Sequence, residues 1–237
     1  MMEEKRSFTP PAPEGRYLDD AFFAVCFAVP FFYLILPAFL PGTMALLPVR
    51  IFLPPLAVLL IVSAAVFYGS PEIPVRRKFG MLPGPFPWKT AFSYWLFMYV
   101  FLLVVSGAVK ALSDRFGLSL PQQDVVLLLA KSSLTEKALI IFSAVLLAPV
   151  TEEIIFRHIF FSRVAYWTGG GLAAVLTAIL FSALHGNVLQ APSLFFMSLI
   201  LQAAYGKTGK LTVPVLIHSL FNAVSVILIL LLIKNRM

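Results

Sequence analysis

Seven apolar stretches, at residues 21–40, 51–68, 90–112, 137–167, 172–184, 191–205 and 213–233, restrict this chain more than any other feature does. A helix needs about 20 mainly apolar residues to cross a hydrocarbon core of roughly 30 Å, and several of these runs reach that length. Inside a bilayer every backbone N–H and C=O must be paired within the protein, so such runs fold as packed helices. A hydrophobic content of 60% and a charged content of only 12% leave too little polar surface for a soluble domain of this size. The expected class is all-α: a polytopic transmembrane helical bundle of about seven to eight spans. Seven crossings put the two termini on opposite sides, whereas Lys234 and Arg236 favour the inner side for both. An eighth crossing or a re-entrant segment reconciles them.

The net charge of +7 reads the same way. The lysines and arginines fall mainly in short connections such as Arg76-Arg77-Lys78, Lys89, Lys207 and Lys210, which is positive-inside anchoring to the lipid bilayer and calls for no nucleic-acid partner. Cys26 is the single cysteine and lies in an apolar run, so neither a disulfide framework nor a thiolate metal cluster exists, and a buried small hydrophobe is expected there. Residues 1–19 form a polar, proline-containing lead without the apolar core of a signal peptide. Residues 20–136 supply the first spans and an interfacial segment around 125–130, and residues 137–237 form the segment in which the chemistry concentrates.

That chemistry centres on Pro149-Val150-Thr151-Glu152-Glu153-Ile154-Ile155-Phe156-Arg157-His158, which lies inside an apolar run. No acidic residue other than Glu152 and Glu153 occurs after Glu136. Charges at membrane depth are expensive, and an ionisable cluster there marks a functional site. The helical period places Glu153 and Arg157 on one face as an ion pair and turns Glu152 about 100° away from it. Glu152 is then free to face a cavity as a general base. The run is expected to be one kinked helix or two pieces broken at Pro149.

All three histidines fall in the same part of the chain. His185 follows Phe181 by four residues at the end of the fifth run, and His218 precedes Asn222 by four in the last, so each pair shares a helix face. A carboxylate, two imidazoles and an amide around one polar cavity among the carboxyl-terminal helices suit hydrolysis. Glu152 activates water, the imidazoles orient it, and His218 with Asn222 stabilises the oxyanion. His158, beside Arg157, reads as an interfacial or packing residue. No Gly-x-Ser-x-Gly elbow and no His-Glu-x-x-His run is present. The expected site contains no metal and the chemistry needs no cofactor, although Glu152, His185 and His218 are of the types that bind zinc.

In this order and spacing, Glu152-Glu153…Arg157, Phe181…His185 and His218…Asn222 resemble the type II CAAX prenyl endopeptidase family, the glutamic intramembrane proteases also called CPBP or ABI proteins. The resemblance covers residues 137–233 and departs from the family pattern at His158, where many members have glycine. It implies a helical bundle around a cavity, with Glu152 as the water-activating base, His185 and His218 as its partners, Asn222 in the oxyanion hole, and Glu153 and Arg157 as a supporting pair. It also implies a membrane-associated, in some members prenylated, protein or peptide substrate; the expected location of this multi-pass protein is a bacterial inner (plasma) membrane. No substrate-binding residue is identified by it. The competing reading is a non-catalytic membrane partner or bacteriocin-immunity-type protein that keeps the same cluster for packing or peptide binding.

Overall fold

The computed structural model describes residues 17–44, 46–69, 74, 84–118 and 124–234. The polar lead up to residue 16, the basic run Arg76-Arg77-Lys78 and Arg236 lie outside the described residues. Among the described residues, eight helices carry the fold. They are α1 (Tyr17–Phe39), α2 (Leu47–Tyr68), α3 (Trp88–Arg115), α4 (Asp124–Lys131), α5 (Leu134–Thr168), α6 (Gly170–Leu184), α7 (Ala191–Thr208) and α8 (Thr212–Lys234).

Each of the seven apolar runs is helical, and the protein is a polytopic membrane bundle. Five of the described helices, α1, α2, α3, α5 and α8, are long and apolar enough to cross a bilayer. The other two runs fall short for different reasons. With 15 residues, α6 rises only about 22 Å. The 18 residues of α7 are diluted by Ser193, Ser198, Gln202 and Lys207. The outward faces are apolar, with Phe27, Phe39 and Leu60 exposed, as lipid contact requires. Cys26 belongs to that outward face and is exposed, not buried as the apolar run suggested.

Two clusters join the amino-terminal helices to the rest. Val25 and Ala28 of α1 and Val58, Val62 and Val66 of α2 pack with Ile154, Ile155, Phe156 and Ile159 of α5. Met98 and Leu102 of α3 pack with Met197 and Leu201 of α7 and with Val213 and Ile217 of α8. Tyr99 and Phe221 meet with ring centres 5.9 Å apart, which fixes the level of α3 against α8. The short α4 contributes Leu129 to a third cluster with Ile140 and Val226, holding α8 against the start of α5.

α5 begins at a capping box. Ser133 accepts from the Glu136 N–H, and the Glu136 carboxylate accepts from the Ser133 N–H at 2.8 Å. The helix continues through Pro149 without breaking, and two π-helical segments are built into it, Ser143–Leu147 just before the proline and Ile154–Phe160 after it. The proline ring would collide with the carbonyl four residues back in a regular α-helix, and widening the preceding turn relieves that. The same device recurs in α1, where the π segment Phe31–Ile35 precedes Pro37. α5 stops at Gly169, whose φ of 81° lies in the region only glycine enters freely, and Gly186 at φ 65° ends α6 just beyond His185.

Candidate active site

Glu152 and Glu153 are adjacent in α5 and occupy different environments. Glu153 is fully buried, with one carboxylate oxygen 3.0 Å from Arg157 Nε and the other accepting from His218 Nδ1 at 2.9 Å. Arg157 is also fully buried, and its guanidinium lies 4.8 Å from the centre of the Phe181 ring. Such a cation over an aromatic face is attracted by the ring quadrupole. Phe181 supplies the floor for Arg157, and its carbonyl oxygen accepts from His185 Nδ1 at 2.7 Å.

These bonds set the imidazole tautomers. With Nδ1–H of His185 donated to the Phe181 carbonyl, its Nε2 carries the lone pair and serves as an acceptor. With Nδ1–H of His218 on Glu153, Nε2 of His218 is the nitrogen left for other partners. That nitrogen is 3.9 Å from Glu152 Oε2. The gap is too long for a direct hydrogen bond and is the separation that one water, at about 2.8 Å from each, would bridge. Glu152 Oε2 is itself buried and has no hydrogen-bond partner among the described residues.

Glu152, His185, His218 and Asn222 line one cavity of about 670 Å³ between α3, α5, α6, α7 and α8. Its remaining walls are mostly apolar, with Leu102 and Leu103 from α3 and Val226 and Ile229 from α8. An apolar cleft with a few convergent polar groups is the usual form of a small binding site. Asn222 donates from Nδ2 to the Ala144 carbonyl at 2.8 Å, which leaves the second hydrogen of that amide for the cavity. Counted as charges, Glu152, Glu153 and Arg157 sum to minus one, and a proton on His218 makes the cluster neutral.

The arrangement corrects one sequence expectation. Glu153 and Arg157 do not simply neutralise each other, because Glu153 reaches across to α8 and holds His218. Both glutamates therefore address His218, one at each ring nitrogen. A helical wheel of α5 alone carries no information about α8, so this bond had no signal in the spacing. His158 is buried, with Nδ1 3.2 Å from the Tyr205 hydroxyl, a packing role away from the cavity. The Ala144 carbonyl escaped sequence reasoning altogether, although Pro149 five residues later is a readable sign of a disturbed backbone ladder. Among the described residues, no group of three or more His, Cys, Asp or Glu side chains is disposed to hold a metal ion.

Residues 134–224 match the family model described as Rce1-like, type II CAAX prenyl endopeptidase. All of the cavity's polar residues named above lie within that match. An uncharacterised 24.3 kDa protein of Escherichia coli is 31% identical over 137 residues, which are 56% of this chain and 58% of that protein. The membrane-embedded CAAX protease MroQ of Staphylococcus aureus (strain USA300) is 30% identical over 93 residues, 37% of this chain and 38% of that protein. The chain thus spans 58% and 38% of the length of these two curated relatives. No solved structure matches.

Proposed function

Residues 134–224 belong to the Rce1-like type II CAAX prenyl endopeptidase family, and on that premise we propose that this multi-pass membrane protein is a glutamic intramembrane endopeptidase. One observation carries the reading. Of the charged groups in the cluster, Glu152 alone lines the cavity, with a buried oxygen that has no hydrogen-bond partner among the described residues and lies 3.9 Å from His218 Nε2.

In this reaction a water between Glu152 Oε2 and His218 Nε2 attacks the scissile carbonyl carbon while its proton passes to Glu152. His185 Nε2, an acceptor by virtue of its Nδ1 bond, orients the second hydrogen of that water. The carbonyl oxygen becomes an oxyanion and accepts from Asn222 Nδ2 and from protonated His218 Nε2. When the tetrahedral intermediate collapses, the C–N bond breaks and the proton on Glu152 moves to the leaving amine. Glu153 holds the His218 ring and balances its charge, while Arg157 balances Glu153. The substrate is a membrane-associated protein or peptide, lipidated or not, and the setting is a bacterial inner (plasma) membrane.

The test uses quenched fluorescent peptides with a membrane-anchoring end, presented with the purified protein in liposomes. Replacing a general base costs roughly 10²–10⁴-fold in rate. Glu152→Gln is expected to lose that much while remaining folded. A folded Glu152→Gln protein that cleaves at the wild-type rate contradicts the hydrolase reading and favours a packing or peptide-binding role for the cluster. The steps above use no metal, so activity is expected to survive exhaustive chelation. Loss on chelation with recovery on adding zinc points instead to a zinc-dependent hydrolase using Glu152, His185 and His218.

A further inference from the structure

The Asn222 amide is anchored by a backbone carbonyl that an ordinary α-helix would not offer. In α5 the regular donor to the Ala144 carbonyl is the Ala148 N–H, four residues on. Here the Ala148 N–H is committed to Ser143, five residues back, as part of the π turn Ser143–Leu147. The next donor in a π ladder would be the residue at 149, and that residue is proline, which has no N–H. Both helical donors are therefore withheld from Ala144, and its oxygen takes Asn222 Nδ2 from α8 at 2.8 Å.

We infer that Pro149 is a positioning residue for the proposed hydrolysis: by withholding an N–H inside α5 it frees the Ala144 carbonyl, which orients the Asn222 amide toward the reacting carbonyl. This inference rests on the proposed function and adds to it a residue with no contact to substrate. Pro37 in α1 also follows a π turn, in which Leu36 N–H bonds to Phe31, whereas Pro54 and Pro55 sit within the regular α-helix of α2, so the widened turn is one response of these helices to proline and not a fixed one. In α5 that response is coupled to the cavity, because Ala144 and Asn222 both line it. Three residues after Pro149 comes Glu152, so one stretch of α5 sets both the base and the acceptor that fixes the oxyanion donor.

Any other residue at 149 restores an N–H, and the α ladder can then reclaim the Ala144 carbonyl. Pro149→Ala and Pro149→Ser are expected to lower kcat about 10²-fold, as removal of one oxyanion donor does, with little change in KM. Their melting temperature is expected at or above that of the wild type, since a helix-interior proline is replaced by better helix formers. Asn222→Ala should lose kcat to a similar degree, and Pro149→Ala/Asn222→Ala should be no slower than Asn222→Ala alone. Such non-additivity marks residues acting through one bond.

The peptides used are ones that the wild type cleaves and Glu152→Gln does not. Wild-type kcat in Pro149→Ala, or losses that multiply in the double variant, overturns the positioning role and leaves the Glu152 mechanism standing. If no such peptide exists, the glutamic mechanism fails, and an experimental structure of Pro149→Ala still decides the geometry. The Asn222 amide should then have left the Ala144 oxygen, and an unchanged 2.8 Å bond refutes the inference.

Discussion

Changing Glu153 to glutamine alters one oxygen to an NH₂ group without changing the size of the side chain, at a place where nothing can relax into water. The carboxylate has two obligations, Arg157 Nε at 3.0 Å on one oxygen and His218 Nδ1 at 2.9 Å on the other. Glutamine has one acceptor oxygen, so either Arg157 Nε faces an NH₂ donor or His218 must move its proton from Nδ1 to Nε2 in order to accept from that NH₂. The Arg157 guanidinium also loses its counter-charge while remaining wholly buried against Phe181. Breaking a buried ion pair by removing one partner costs about 3–5 kcal/mol. For a domain of 150–250 residues each kcal/mol moves Tm by about 2–4 °C, so the expected fall is roughly 6–20 °C. The chain has three tryptophans, and their intrinsic fluorescence during heating in detergent micelles reads the transition. Removing both charges together, as Glu153→Leu/Arg157→Met, should melt above the Glu153→Gln single variant, since no uncompensated charge is then buried. A Glu153→Gln protein melting within about 2 °C of wild type would falsify the assignment of Glu153 as the shared partner of Arg157 and His218.

Three further outcomes follow from the geometry. Ser133→Ala removes the capping box at the start of α5 and should destabilise by about 1 kcal/mol, measurable as a small fall in the same melting curve, with kcat unaltered. Arg163→Ala removes an ion pair with Asp19 and the stacking on Tyr166 and Trp167, so the tryptophan emission of the folded protein should shift and α1 should become easier to proteolyse near Tyr17. Emission and proteolysis identical to wild type would contradict that docking. His185→Ala should lower kcat with little effect on Tm, because the ring's Nδ1 bonds only to its own helix at Phe181, and a large loss of stability would speak against a cavity role.

Much of the fold was readable because membrane helices write themselves in composition. Each of the seven apolar runs became a helix with ends within a few residues of the expected ones, and the glycine turn after His185 took the expected positive φ. The span count was harder. Polarity spread along α7 and the shortness of α6 lower their fitness to cross without changing their helical pattern. Of the cavity's polar residues, Glu152, His185, His218 and Asn222 were readable from three spaced motifs, and α5, α6 and α8 bring them together, whereas Ser106 and Lys110 of α3 belong to no motif. Glu153 to His218 and Asn222 to Ala144 are bonds from α5 to α8 between residues 65 and 78 positions apart, and no local period encodes them. The capping box Ser133-x-x-Glu136 was present in the sequence and marks the start of α5, where the apolar pattern alone put it a few residues later. Cys26 illustrates the opposite limit: in a bilayer an apolar neighbourhood does not distinguish the bundle interior from its lipid face.

The division of labour between the two adjacent glutamates is most directly tested by placing Glu152→Gln and Glu153→Gln side by side, with peptide cleavage in liposomes and thermal melting measured on the same preparations. Glu152, with a side chain 25% exposed and one oxygen without a hydrogen-bond partner among the described residues, should on replacement give a protein that melts with the wild type and cleaves about 10²–10⁴-fold more slowly. Glu153→Gln should show the large loss of stability. Wild-type cleavage by a stably folded Glu152→Gln protein would contradict the account at its centre.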